Sequence, residues 1–303
     1  MDLITSLLQE ALKASTPLLL ATLGEIYSER SGVVNLGIEG IMAIGAFAAF
    51  VVAYSTRSIA LALAMAAMAG LIFSSLHAIS SLKFRANQTV SGLAMTMLGL
   101  GISSVAGTRY VGLPLTTTLE PLRIPHLSEI PILGALFYQD LMVYFGLALA
   151  VFLWCFLNYT KYGLQIKAVG ENPSAADSSG TNVDLVRYAC TLFGGALGGL
   201  AGAYLSLSYL PGWTDGMTQG RGWIAVALTV LSFWDPLKSI LGALVFGSID
   251  ALQFVLQPFG VPASLLGALP YAVTVIVMTL GTVLLAKRRI RPPAALGIPY
   301  SRE

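Results

Sequence analysis

Polar side chains inside apolar segments are the residues of this sequence that could do chemistry. Asn35 and Glu39 lie four positions apart, so they share a helix face if that helix begins near Val34. Asp250 lies within a later apolar run. A charge at the centre of a membrane helix costs roughly 2.5–3.5 kcal/mol, so such groups point towards protein or a water-filled cavity. They either fix helix packing or line a path for a polar solute, and the sequence leaves both interpretations open.

A second polar group, Asn87, Gln88 and Thr89, opens another apolar segment. Four glycines between Gly32 and Gly45 predict a broken helix, which is tolerated in a membrane only against protein or a cavity. Near this break, Glu25, Glu29 and Arg30 are expected to satisfy one another.

Enzymatic chemistry is not indicated. The sequence has no Gly-x-x-x-x-Gly-Lys-Ser/Thr phosphate-binding loop. His77 and His126 lie far apart without metal-ligand spacing, so no metal site is predicted. Cys155 and Cys190 both lie in apolar segments and are interpreted as packing residues.

The composition predicts an all-α fold: a polytopic transmembrane bundle in which residues 1–303 form one domain. Of the 303 residues, 56% are hydrophobic and 11% charged, against roughly 25% charged in soluble domains. The net charge of +2 is too small to favour a nucleic acid partner. At about 20 residues per span, we count about nine spans, near residues 4–23, 33–54, 59–82, 87–107, 141–157, 188–209, 223–231, 237–256 and 264–286.

Two other features belong to this bundle. Residues 108–139 contain four prolines and predict an outer loop. In the sixth span, Gly194, Gly198 and Gly202 recur every four residues, which predicts close helix packing.

A polar segment at 168–183 interrupts the apolar pattern and predicts a short helix outside the membrane. Asn172 suits the N-cap, Pro173 the first helical position, and Gly180 the left-handed residue that ends a helix. An ordinary polar loop is the alternative. The residues between are small and would let a partner approach: Ser174, Ala175, Ala176, Asp177, Ser178 and Ser179. We expect Ala176→Trp to block such docking while sparing the fold.

The sequence resembles ABC importer permeases of the ribose, branched-chain amino-acid and nucleoside family. The coupling-helix loop of that family resembles Gly170-Glu171-Asn172-Pro173 with Ala175, Ala176 and Gly180, inside a cytoplasmic loop of about 160–187. Three stretches resemble the nucleoside branch most: residues 31–40, 216–225 and 233–236. One departure is residues 229–232, where a glycine is expected near Phe233.

The resemblance implies a permease subunit of an ATP-driven nucleoside importer in a bacterial inner membrane. A separate ATPase subunit would bind ATP, so this chain would be no enzyme and carry no cofactor. The other implied partners are a second homologous permease and an extracytoplasmic substrate-binding lipoprotein. Asn35, the 87–89 group and Trp223 would offer a nucleoside amides and aromatic surface. A sugar or branched-chain amino-acid permease, or a secondary transporter using Glu39 or Asp250, remains an alternative.

Basic residues predict the topology. With the C-terminal tail in the cytoplasm, nine spans place eleven basic residues inside and four outside, which satisfies the positive-inside rule. The N-terminus then lies outside. The four outer residues are Arg57, Arg109, Arg123 and Arg221.

This topology predicts that single cysteines at Ser301 and Thr117, in a variant lacking Cys155 and Cys190, react from opposite sides of the membrane. An impermeant maleimide should label only the Thr117→Cys protein in intact cells. Labelling of both from outside contradicts the topology.

Overall fold

The computed structural model describes residues 3–130, 132–256, 262–288 and 291–301, and most of these residues are helical. A small antiparallel pair, β1 (Leu122–Arg123) with β2 (Tyr138–Gln139), lies within the predicted outer loop. The helices are α1 Leu3–Arg30, α2 Ile38–Thr56, α3 Ile59–Ala78, α4 Gln88–Gly107, α5 Leu141–Tyr159, α6 Lys161–Glu171, α7 Pro173–Ser178, α8 Val183–Tyr204, α9 Arg221–Leu231, α10 Pro236–Leu256 and α11 Ala263–Arg288.

Within the described ranges, 5 helices are long and apolar enough to cross a membrane. They are α2, α3, α4, α5 and α8, with α3 and α8 each extended by one π-helical turn. The helical bundle agrees with the sequence prediction, whereas nine spans are not confirmed. Helix α9 has 11 residues, about 16 Å at 1.5 Å per residue, which is half of a bilayer core.

Helix α8 lies at the centre of the bundle, where it packs against α1, α2 and α3. Its predicted glycine face makes these contacts. Gly194 lies against Gly24 of α1, and Gly198 lies against Ile38 of α2. A Cβ added to Gly202 would lie 1.9 Å from the carbonyl oxygen of Met42, so the two backbones touch there. The prediction of close packing along this face is confirmed.

Helix α1 continues past the predicted end of the first span, through the polar residues up to Arg30. These residues do not satisfy one another, so that expectation is wrong. Glu29 accepts a hydrogen bond from the indole of Trp234, and Arg30 donates to the carbonyl oxygen of Trp234 at 3.1 Å. Glu25 accepts from the backbone N–H of Asn35 at 2.9 Å. Because each finds its partner on another segment, the helix can carry polar residues into the interior.

The turn after α9 lacks the glycine that the sequence resemblance led us to expect. Phe233 (φ 58°) and Trp234 (φ 55°) adopt the left-handed region themselves. This region costs ordinary residues free energy. Two hydrogen bonds hold the turn in place and offset that cost: the Trp234 indole donates to Glu29, and Arg30 donates to the Trp234 carbonyl oxygen.

The glycine face gives a stability prediction. Gly202→Ala should lower the free energy of unfolding by about 1–3 kcal/mol, because a new methyl group overpacks the contact with Met42. Gly101 in α4 is the matched control, since a Cβ there meets nothing within 4 Å. Gly101→Ala should be neutral or slightly stabilising, as alanine favours helix. Thermal melting in detergent compares the two, and equal melting temperatures would contradict the proposed contact.

Candidate functional site

The predicted coupling segment forms the short helix α7. Asn172 accepts a hydrogen bond from the N–H of Ala175 at 3.0 Å, and Pro173 occupies the first turn. Gly180 has φ 84°, the left-handed conformation that follows the helix. The prediction of this local structure is therefore confirmed. Its docking role stays a prediction.

One side chain of α7, that of Ala176, is buried, which the sequence did not predict. The side chain of Ala176 is 4% exposed and packs in a cluster with Val169 and Val183, against which Tyr300 also packs. Tryptophan at position 176 would therefore disrupt the segment itself, so the expectation that Ala176→Trp spares the fold is wrong. Ala175, its neighbour, is exposed.

A groove runs between α6 and α7. The sequence did not predict α6, whose N-cap Thr160 accepts from the N–H of Gly163 at 3.1 Å. The groove has a volume of about 410 Å³, and its lining from α6, α7 and the residues beside them is mainly apolar. The lining residues are Leu164, Gln165, Ala168, Glu171, Asn172, Ala175, Ala176, Ser179 and Thr181.

Lys167 of α6 interacts with charged residues on neighbouring elements. Lys167 donates to the side-chain oxygen of Asn158 at 2.8 Å. Burial lowers the pKa of Lys167, as does the positive charge of Arg30, and the carboxylate of Asp235 acts in the opposite direction. Lys167 is therefore repelled by Arg30 at the end of α1 and attracted to Asp235, which immediately precedes α10.

The connection between α1 and α2, residues 31–37, carries Asn35. This residue is 0% exposed. Because α2 begins at Ile38, Asn35 and Glu39 do not share one helix face, and that expectation is wrong. The Asn35 side-chain oxygen accepts from the N–H of Gly37 at 3.1 Å. Its Nδ2 group is buried without a hydrogen-bond partner among the described residues.

Gln88 lies against the same connection. Its Oε1 accepts from the backbone N–H of Val34 at 2.8 Å, and its Nε2 is buried without a partner in the described part of the chain. His77 lies within hydrogen-bond distance of the Val34 carbonyl oxygen, at 3.0 Å through Nε2, and of Ser91 Oγ, at 3.0 Å through Nδ1. Side chains from α3 and α4 therefore hold the non-helical backbone.

Glu39 holds the beginning of α9. Its Oε1 accepts from the Thr218 hydroxyl at 2.6 Å and from the N–H of Gly220 at 2.8 Å, and its Oε2 accepts from the N–H of Gly222 at 2.6 Å. The first N–H groups of a helix lack partners within the helix and carry partial positive charge. Glu39 supplies the missing acceptor from another helix, which is the packing role that the sequence left open.

Asp250 forms a buried ion pair with Arg221, at 2.7 Å. Tyr209 donates to the same carboxylate at 3.0 Å, and Gln253 at 2.9 Å. The sequence analysis placed Arg221 among the outer loop charges and missed this pair. An uncompensated aspartate in an apolar segment was the available signal, because a buried charge needs a partner.

The remaining predicted path residues lie apart. Asn87 caps α4 by accepting from the N–H of Val90 at 3.1 Å, and Asn87 and Thr89 are both exposed. Trp223 lies in the first turn of α9 and is 36% exposed. The structure therefore brings Asn35 and Gln88 together and leaves the others separate. No cluster of three metal-ligating side chains occurs among the residues searched, which are those the structure describes.

The fold is that of the membrane subunit of an ABC transporter. A solved inward-facing structure of a putative metal-chelate type ABC transporter aligns with a TM-score of 0.52, covering 93% of this chain and 85% of that one, at 17% identity. Residues 7–278 match the family described as branched-chain amino acid transport system / permease component. The chain belongs to this family, and its apolar helices make it a multi-pass membrane protein.

Two relatives extend over nearly the whole chain. The guanosine ABC transporter permease protein NupQ of Bacillus subtilis is 36% identical, covering 99% of this chain and 97% of its own length. A putative glucose ABC transporter permease protein, TsgC13 of Haloferax volcanii, is also 36% identical, covering 100% and 99%. Both are permease subunits by name, so the chain is similar to transport components rather than enzymes.

The groove beside α7 gives a docking prediction. Ala175→Trp should leave the yield of the permease unchanged, because its side chain is exposed, and should reduce co-purification with an ATPase partner. A steric penalty of about 1.4 kcal/mol lowers affinity tenfold. Ala176→Trp should instead lower the yield of the permease itself. Val105→Trp, on a residue 80% exposed in α4, controls for added bulk. Undiminished ATPase binding by Ala175→Trp would show that partners do not use this groove.

Proposed function

We propose that this chain is a nucleoside-translocating permease subunit of an ATP-driven importer. The observation that carries the proposal is the 36% identity to a guanosine permease over nearly both full lengths. In the proposed complex a separate ATPase subunit docks on α7 and supplies the energy. An extracytoplasmic binding protein delivers the substrate, and a second, homologous permease completes the membrane unit. The complex lies in a prokaryotic plasma membrane with the C-terminus of this chain in the cytoplasm.

The α1–α2 connection supports a polar substrate path. Besides Arg187 Nη2, three buried polar groups around it lack hydrogen-bond partners among the described residues: Asn35 Nδ2, Gln88 Nε2 and Glu25 Oε2. An unsatisfied buried polar group costs about 1–3 kcal/mol. A nucleoside carries acceptors and donors on its base and sugar that could satisfy all three groups when the connection opens. The proposed path therefore runs beside residues 31–37.

Glucose is the second candidate substrate, because TsgC13 is as similar to this chain as NupQ is. Sugar hydroxyls can donate and accept hydrogen bonds, so the same three groups would also suit glucose. An uptake experiment separates the two. Vesicles that contain the complete complex and enclose ATP should accumulate radiolabelled guanosine supplied outside with the binding protein, and unlabelled glucose should not compete. Accumulation of glucose without guanosine would replace the proposed substrate.

Asn35 gives a residue-level prediction. Asn35→Ser keeps an oxygen that can accept from the N–H of Gly37 and removes the unpartnered amide N–H₂. Losing one hydrogen bond to the substrate costs about 0.5–1.5 kcal/mol, so uptake per complex should fall about two- to tenfold. Assembly with the ATPase should be unchanged.

The control is Thr116→Ser, which changes an exposed residue of the outer loop. It should transport like the wild type. If Asn35→Ser lowers uptake only in proportion to the yield of complex, Asn35 is a packing residue and lies outside the path.

A further inference from the structure

The C-terminal segment, residues 291–301, lies across the same end of the bundle as α6 and α7. Two backbone hydrogen bonds fix it in place. The N–H of Ala295 donates to the carbonyl oxygen of Gly170 at 2.8 Å, and the N–H of Gly297 donates to that of Gly32 at 3.1 Å. We name residues 291–301 the strap. It joins the end of α6 directly to the α1–α2 connection.

Side chains seat the strap along much of its length. Pro293 and Ala295 are buried. Leu296 packs against the large apolar cluster that contains Ile166 of α6. Tyr300 packs against the cluster of Val169, Ala176 and Val183 that supports α7. The strap therefore has a fixed position against both helices of the predicted coupling loop.

Arg187, near the start of α8, binds the strap and the connection together. Its Nε donates to the carbonyl oxygen of Ser31 at 3.2 Å, and one terminal nitrogen donates to that of Ile298 at 3.0 Å. The side chain is 1% exposed and forms no ion pair with a carboxylate among the described residues. A buried cation is costly, and an apolar side chain would serve packing as well or better. Arg187 links two carbonyl oxygens, and its remaining terminal nitrogen is buried without a partner among the described residues.

The strap adds a kind of connection that packing does not supply. A Cβ on Gly170 would lie 2.1 Å from the carbonyl oxygen of Arg30, so α6 already abuts the end of α1. Such packing resists approach strongly and resists separation through the loss of apolar burial, but it is not directional. The hydrogen bonds from the strap to Gly170 and Gly32 resist separation. A movement of α6 and α7 away from α1 would therefore pull on the connection through the strap.

The connection leads to the proposed path. Next to Gly32, Val34 is bonded to Gln88 and Asn35 to Glu25. Displacement of Gly32 would disturb these bonds first. We infer that the strap is a coupling element that transmits movement of α7 to the α1–α2 connection, and that Arg187 is its positioning residue. This inference rests on the proposed function, because it requires an ATPase that moves α7.

The test compares ATP hydrolysis and uptake in vesicles that contain the complete complex with its ATPase and binding protein. The substrate is whichever of guanosine and glucose the wild-type complex accumulates. One variant ends at residue 290, which removes the strap but keeps Lys287, Arg288 and Arg289 for orientation. The other is Arg187→Met, which removes both hydrogen bonds. Substrate taken up per ATP hydrolysed should fall about tenfold in both, within the range of typical coupling free energies. ATPase assembly should be retained.

The control is Ile298→Ala, because that side chain is 55% exposed and the bond to Arg187 uses the backbone oxygen. It should keep the wild-type ratio. A structural role alone would lower hydrolysis and uptake together, in proportion to the yield of complex, and that result would overturn the inference. If Arg187→Met fails to fold, the truncated variant decides: an unchanged ratio there also overturns it. Failure of the proposed function would instead show in the wild-type complex, which would accumulate neither substrate.

Discussion

The structure depends on satisfying backbone polar groups where helices are interrupted in an apolar surrounding. Buried non-helical backbone is tolerated only where other groups supply its hydrogen bonds. Here buried side chains do so: Glu25 and Gln88 accept from the α1–α2 connection, and Glu39 accepts from the start of α9. Because Gln88 comes from α4 and Glu39 from α2, the backbone segments that they serve also fix how these helices are arranged.

Glu39 links the two interruptions to each other. It lies at the start of α2, immediately after the connection, and its carboxylate holds the first N–H groups of α9. Arg221, the first residue of α9, is in turn paired with Asp250 of α10. A displacement of the connection would therefore reach α9 and then α10 through charged hydrogen bonds, which are shorter and stronger than neutral ones. Helix α8 supplies the fixed part against which these segments could move, since its glycine face brings whole backbones into contact.

Local features were predictable from the sequence, whereas partners distant in the chain were not. The cap by Asn172, the left-handed Gly180 and the glycine face of α8 follow from residue type and spacing over a few positions. The contact of Tyr300 with the cluster around Ala176 was not predictable, because the two residues lie more than a hundred positions apart. The roles of Glu39 and Arg221 depend on helices that meet only in the folded chain. Asn35 was misplaced because the helix starts at Ile38, after a non-helical stretch that apolar periodicity does not reveal.

In the proposed path beside the α1–α2 connection, the unpartnered groups would suit more than one kind of polar solute. Asn35, Gln88 and Glu25 offer two amide donors and one carboxylate acceptor, and neither a nucleobase nor a sugar is uniquely complementary to that set. Discrimination requires groups that are left unpaired by the wrong ligand, and these groups can pair with either. A permease that bound its substrate tightly would also release it slowly, since differences in affinity lie mostly in the dissociation rate. Selectivity in such a transporter is therefore better placed in a separate binding protein, with the membrane path offering only weak, general polarity.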